Sequence, residues 1–230
     1  MIEKAKPPEL PFIGTKRIEI DNIEKIINYI DKNSLYRFHW RVEEKTGEEL
    51  FKEYIPKVLN KIEPISIVGY FYGEKKGDSI IVKDIELCFE RDIRSGISIL
   101  DFFSTDKDGK TPIIIFSVSL GENAMKEVDN AYKDERYFDY LILHGLYSEI
   151  VEGIADYLHE RVLKELNIKT KYRVRYSPGY PPAWKDIKEN QKLIRLLKAE
   201  KFGITFKENS LYPRYTILAL INWHPEGFYF

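Results

Sequence analysis

From about Asp134 to Asn167 the chain carries one helical hydrophobic pattern that no proline interrupts. Leu143, Leu146, Tyr147, Ile150, Ile154 and Leu158 fall on one broad face of it. At ~1.5 Å per residue such a helix runs for about 50 Å. An element of that length needs an apolar surface to lie on, and the spacing predicts that it covers a sheet.

The strands for that sheet are legible upstream and downstream. "ISIVGYFY" and "SIIVKDIELCFE", separated by "GEKKGD", read as a hairpin. "GISILDFF" and "PIIIFSVSL" read as two further strands around "STDKDGK", and the tail from Ile204 returns to strand propensity. Helices flank them. "DNIEKIINYIDKN" starts at a potential cap, Asp21, with Ile23, Ile26, Ile27 and Ile30 on one face. "TGEELFKEYIPKVLNKIE" offers Thr46 and Glu49 as a capping box, with Pro56 expected to kink the helix. "DIKENQKLIRLLKAEKFG" is capped at Asp186 and stopped at Gly203. Runs of strands beside segregated helices predict an α+β fold, a mainly antiparallel twisted sheet with helices packed against it. Residues 1–230 are expected to form a single domain, with the helical stretch before about residue 63 least constrained.

Composition narrows the function classes. The 36 basic and 37 acidic residues balance to a net charge of -1, so charged recognition must be local. One cysteine, Cys88, allows neither an internal disulfide nor a multi-thiolate metal site, and it is read as a small buried apolar residue. His39, His144, His159 and His224 show no ligand spacing, so no metal site is expected; His144 reads as a helix-surface or interface residue and His224 as a turn residue. With no long apolar run and no signal-peptide core, the chain is expected to be cytoplasmic and off the membrane. Dinucleotide, P-loop and nucleophile-elbow motifs are absent.

Two places carry local chemistry. "RYSPGYPPAW", Arg175 to Trp184, is stiff, aromatic and led by a cation. An arginine offers a planar fork to a carboxylate or phosphate, Gly179 permits close approach or a positive φ, and Tyr180 offers an aromatic plane. A cradle for a flat heterocycle joined to a carboxylate and a rigid turn packed on the core both fit. Glu152 lies opposite the apolar stripe of the long helix, on a strip with Gly145, Ser148 and Ala155. It reads either as a solvated acid or as an anchor that small neighbours leave approachable. "KTKYRVRY", Lys169 to Tyr176, interleaves basic and aromatic residues, which keeps single-stranded nucleic-acid binding as an alternative that the neutral net charge disfavours.

"RYSPGYP" matches R-x-x-x-G-Y-P and follows "EGIADYLHERV"; with "ILDFF" upstream and "HPEGFYF" downstream, the chain resembles the S-adenosylmethionine-binding activation domain of cobalamin-dependent methionine synthase over roughly Ile99 to Phe230. Ser177 stands where that family usually has a small apolar residue, and "PAW" replaces the commoner Ala-Cys-Pro. The resemblance implies a site built from Asp101, Glu152, Arg175, Ser177, Gly179, Tyr180 and Tyr229. It implies that Arg175 pairs with the ligand carboxylate, that Asp101 and Glu152 receive its ammonium or ribose hydroxyls, that the backbone around Ser177 and Gly179 approaches it, and that Tyr180 and Tyr229 flank it. No general acid or base is implied, because the sulfonium is already an activated donor.

The sequence contains no D-x-H-x-x-G cobalamin motif. The expectation is therefore a free-standing activation subunit that serves a cobalamin-binding methionine synthase chain. The family's role is to present S-adenosylmethionine so that reduction of cob(II)alamin, typically by flavodoxin, is trapped by methyl transfer. Service to another corrinoid methyltransferase is the alternative within the same family.

Overall fold

The computed structural model describes residues 2–230. In chain order the elements are β1 (Gly14–Arg17), a 3-10 segment (Ile23–Tyr29), α1 (Lys32–Ser34) running into a π-helical turn (Leu35–Trp40), α2 (Glu44–Leu59), and the strands β2 (Ile65–Lys76), β3 (Ser79–Val82) and β4 (Ile85–Cys88). A 3-10 turn (Ile99–Phe102), β5 (Lys110–Ser119), α3 (Gly121–Lys133), α4 (Tyr137–Glu165) and β6 (Val174–Tyr176) follow. The chain closes with α5 (Glu189–Leu197), a 3-10 turn (Ala199–Phe202), β7 (Thr205–Lys207), β8 (Ser210–Tyr212) and β9 (Thr216–Asn222).

The main sheet runs β4-β3-β2-β5-β9-β6 with β1 paired to β2, and its pairings are antiparallel. The α+β expectation holds. α4 covers the face that carries Tyr70 and Phe116: the Tyr70 hydroxyl donates to Glu165 at 2.8 Å, and the Phe116 ring lies 6.4 Å from His159. α5 covers the opposite face. There Gly69 leaves room for Leu197, since a Cβ on it would stand 2.6 Å from Leu197 Cδ2. Tight layer contact over both faces explains why β2 and β5 read as continuous apolar runs instead of alternating ones.

The N-terminal segment wraps the outer side of α4. Gly145 lies against His39 and Trp40, whose indole donates to the Ile142 carbonyl at 3.1 Å, and Gly153 lies against the Tyr29 backbone. Gly145, one member of the small strip, and Gly153 therefore admit this chain's own N-terminal third at close range.

Several local expectations are corrected. Asn22, not Asp21, caps the first turn, which is 3-10. α2 begins at Glu44, so Thr46 lies inside it, and Pro56 is accommodated in its last turns. "SIIVKDIELC" is itself a hairpin, β3 to β4, turning at Lys83 with φ 58. "ILDF" forms a 3-10 turn in place of a strand, because Ser98 and Asp101 make a capping box that satisfies each other's backbone. α3 carried no expectation. Cys88 is exposed: β4 alternates buried and exposed positions and Cys88 takes the outward side.

Candidate functional site

The second half of α4 places Glu152 and Asp156 one turn apart on the same side, an i,i+4 spacing. β6, the short edge strand beside β9, points Arg175 at them. Arg175 Nη1 donates to Asp156 at 2.5 Å and Nη2 donates to Glu152 at 2.6 Å. The Arg175 side chain is only 15% exposed. Burial works to lower its pKa, but the hydrogen bond to Asp156 and the charges of Asp156 and Glu152 outweigh burial and hold it above the usual arginine value. One turn further along α4, His159 is fully buried with both ring nitrogens unpartnered. Burial first, and then the charge of Arg175, pushes its pKa down to about 3, so the ring is neutral.

The stretch after β6 is clamped at both ends. Gly179 takes φ 94 and donates its N–H to the Trp184 carbonyl at 2.9 Å, while the Trp184 N–H returns to Tyr180 at 3.1 Å. Trp184 is buried with its ring 4.7 Å from Phe89, and its indole donates to the Cys88 carbonyl at 3.0 Å. Asn190 on α5 donates to the Pro178 carbonyl at 3.3 Å. With the loop held from behind, Tyr180 is left 73% exposed. The rigid-turn reading of this stretch holds for Trp184, which packs the core, while Tyr180 faces out.

The C-terminal residues complete the wall. Tyr176 donates its hydroxyl to the Phe228 carbonyl at 2.7 Å, and the Tyr229 hydroxyl accepts the Arg175 backbone N–H at 3.1 Å. A cleft of about 830 Å³ opens here. Glu152, Arg175, Ser177, Tyr180 and Tyr229 line it from one side, and the β7–β8 hairpin brings Leu211 and Tyr212 from the other. Gly179 supports that wall from within the loop.

Asp101 is not brought to the cleft. Arg91 holds its carboxylate with two hydrogen bonds, at 2.7 and 3.0 Å, and the Ser98 N–H donates to it at 3.0 Å. Burial raises its pKa, but the Arg91 and Ser98 hydrogen bonds prevail and hold it below the usual carboxylate range. Asp156 is the second acid facing Arg175, and sequence reasoning missed it. Its signal was present as the carboxylate four residues after Glu152.

Comparisons with known proteins bear on the family and the fold. A family model described as the activation domain of vitamin B12-dependent methionine synthase matches residues 60–230. Methionine synthases of Mycobacterium tuberculosis and Mycobacterium leprae are each 24% identical to the chain, covering 97% of it and 23% of their own length. The chain thus spans about a quarter of these relatives. A crystal structure of the MetH reactivation domain bound to AdoHcy superposes with a TM-score of 0.83 at 21% identity, covering 98% of this chain and 83% of that one, which establishes the shared fold.

Proposed function

The chain belongs to the vitamin B12-dependent methionine synthase activation-domain family, and from that premise we propose that it binds S-adenosylmethionine in the Arg175 cleft and presents the methyl group to a cobalamin held outside these 230 residues. The observation that carries this reading is the nearly buried Arg175 guanidinium, standing with Glu152 in the wall of a cleft of about 830 Å³. Pockets for drug-sized ligands span roughly 300–1,000 Å³. The donor set matches the ligand: one cation for a carboxylate, an acid for an ammonium, and aromatic planes at Tyr180 and Tyr229 for an adenosyl group. AdoHcy, held by the structural relative, has the same amino-acid end and nucleoside.

S-adenosylmethionine supplies its own activated methyl on the sulfonium. The protein's residues bind and orient. Arg175 fixes one end, the clamped loop from Ser177 to Tyr180 shapes the wall, and Tyr229 braces the strand that carries Arg175. The methyl acceptor in this reading is cob(II)alamin on a methionine synthase, together with one electron from flavodoxin or a comparable donor. A single activation-type domain over residues 1–230 and a cytoplasmic setting belong to the same proposal; no helix among the described residues is long and apolar enough to cross a membrane.

Titration calorimetry of the full chain with S-adenosylmethionine tests the reading. The expected result is saturable one-site binding that weakens about 100-fold or more in Arg175→Ala. No binding by the parent, or equal binding by the variant, overturns it. Single-stranded nucleic-acid binding has no comparable support, since the net charge of -1 gives no general attraction to phosphates and Arg173 is paired with Glu160. Co-purification with a corrinoid protein separates methionine synthase from other corrinoid methyltransferases as the client.

A further inference from the structure

The two acids on Arg175 occupy different surroundings. Glu152 lines the 830 Å³ cleft together with the arginine. Asp156 does not; it borders a second, shallower cavity of about 600 Å³ that shares Tyr229 with the first and is lined also by Lys171 and Arg173. Tyr229 lines both cavities, and its hydroxyl accepts the Arg175 backbone N–H. Arg175 lines the larger cleft and not the second cavity, so Glu152 shares its cleft side while Asp156 holds it from the side of the neighbouring cavity. The Glu152 side chain is 53% exposed against 36% for Asp156, and it has one more rotatable bond with which to leave.

From this asymmetry, and resting on the binding reading above, we infer that Asp156 is a positioning residue that keeps Arg175 aimed into the cleft, while Glu152 is an exchangeable partner that yields Arg175 to an incoming carboxylate and turns to the ammonium beside it. The ligand class this selects is a free α-amino acid end, with both charges present. A carboxylate entering the cleft meets the Nη2 edge that Glu152 now holds, whereas the Nη1 edge stays with Asp156. The charges close in the same way. Arg175 and its two acids sum formally to -1, and Arg214, which also lines the cleft, is balanced by Asp129 at 2.8 Å; the remaining -1 complements the net +1 of S-adenosylmethionine, a carboxylate with an ammonium and a sulfonium. His159, neutral and buried beside Arg175, adds no charge to that sum.

The test uses the full chain and two probes, S-adenosylmethionine and its decarboxylated form, which keeps the ammonium and sulfonium but has nothing for Arg175 to hold. Asp156→Asn is expected to weaken S-adenosylmethionine by about tenfold or more, the scale of a charge-assisted hydrogen bond, and to leave the decarboxylated probe within about twofold. Glu152→Gln is expected to weaken both probes. Asp156→Glu, which keeps the charge, is expected to recover most of the S-adenosylmethionine affinity. If Asp156→Asn weakens both probes equally, Asp156 is merely structural and the division of roles is wrong even though the binding reading survives. If it weakens neither, the inference fails in the same way. A parent chain that binds neither probe overturns the binding reading and this inference together.

Discussion

Arg91 and Arg175 each face carboxylates, the first at the 3-10 turn Ile99–Phe102 and the second beside the C-terminal half of α4. Arg91 is 48% exposed and bonds Asp101 and the Gly96 carbonyl, all within one loop. Arg175 is 15% exposed; its guanidinium holds Glu152 and Asp156 of α4, and its backbone N–H donates to Tyr229 near the end of the sequence. The residue types are the same. The difference lies in depth and in what the pair stands between: the Arg91 pair closes a turn, whereas the Arg175 cluster forms part of the wall of a cleft. Ion-pair chemistry by itself does not mark a site; a desolvated cation whose acids come from another element and open on a cavity is a stronger mark.

Removing the cations separates the two regions most widely. Arg175→Met leaves Glu152 and Asp156 side by side without a counter-ion, and is expected to cost about 3 kcal/mol in urea unfolding at pH 7, the low end for a broken buried pair because both acids keep some solvent. Arg91→Met is expected to cost less than about 0.5 kcal/mol, as for an exposed pair. Equal losses would break the comparison.

The pH profile sharpens it next. His159, behind Arg175, has its folded pKa lowered to about 3 from 6.5. Between those values the unfolded chain binds the extra proton, so stability is fully present above pH 6.5 and falls as the solution is acidified. The expected loss is about 2 kcal/mol from pH 6.5 to pH 5. His159→Phe, which removes two unpartnered nitrogens, is expected to flatten that limb without lowering stability at pH 7. Urea curves at several pH values decide; an unchanged slope in the variant would assign the loss to other groups.

A smaller effect is expected at the loop that shapes the cleft. Gly179→Ala places a Cβ 3.1 Å from Ile187 at a φ of 94, and should cost about 1–2 kcal/mol and weaken S-adenosylmethionine binding by calorimetry. Asp101→Asn comes last. It removes a carboxylate whose folded pKa is depressed, so its contribution is present above the usual carboxylate range and fades as pH falls through the folded value. At pH 7 the change is expected to cost under about 1 kcal/mol and to leave S-adenosylmethionine affinity within about threefold. A tenfold weakening would draw Asp101 into the site after all.

Much of the fold was legible because burial on both faces writes long apolar runs. β2, β5 and α4 stood out for that reason, as did the amphipathic α5. Elements held by side-chain capping or by irregular turns were not. The Ser98–Asp101 box bends "ILDF" away from the strand that its propensity suggests, and the first Ile-rich stretch winds as 3-10. α3 escaped notice because its buried residues are mostly small: Ala124 and Ala131 beside Val128. Cys88 faces solvent because edge-strand alternation, not the residue's own apolar character, sets its side.

By itself the amino-acid order determined the periodicities that make a two-sided sheet and its covering helices, and the stiff bend from Arg175 to Trp184, since these follow from side-chain volume and backbone freedom within a few residues. Which acid meets Arg175 was decided only in three dimensions. Asp101 and Asp156 are both carboxylates with an arginine in reach, and only the crossing of α4 behind β6 puts one of them against the guanidinium while Arg91 retains the other. Electrostatic partnership depends on distance and desolvation, and both are properties of how distant segments pack.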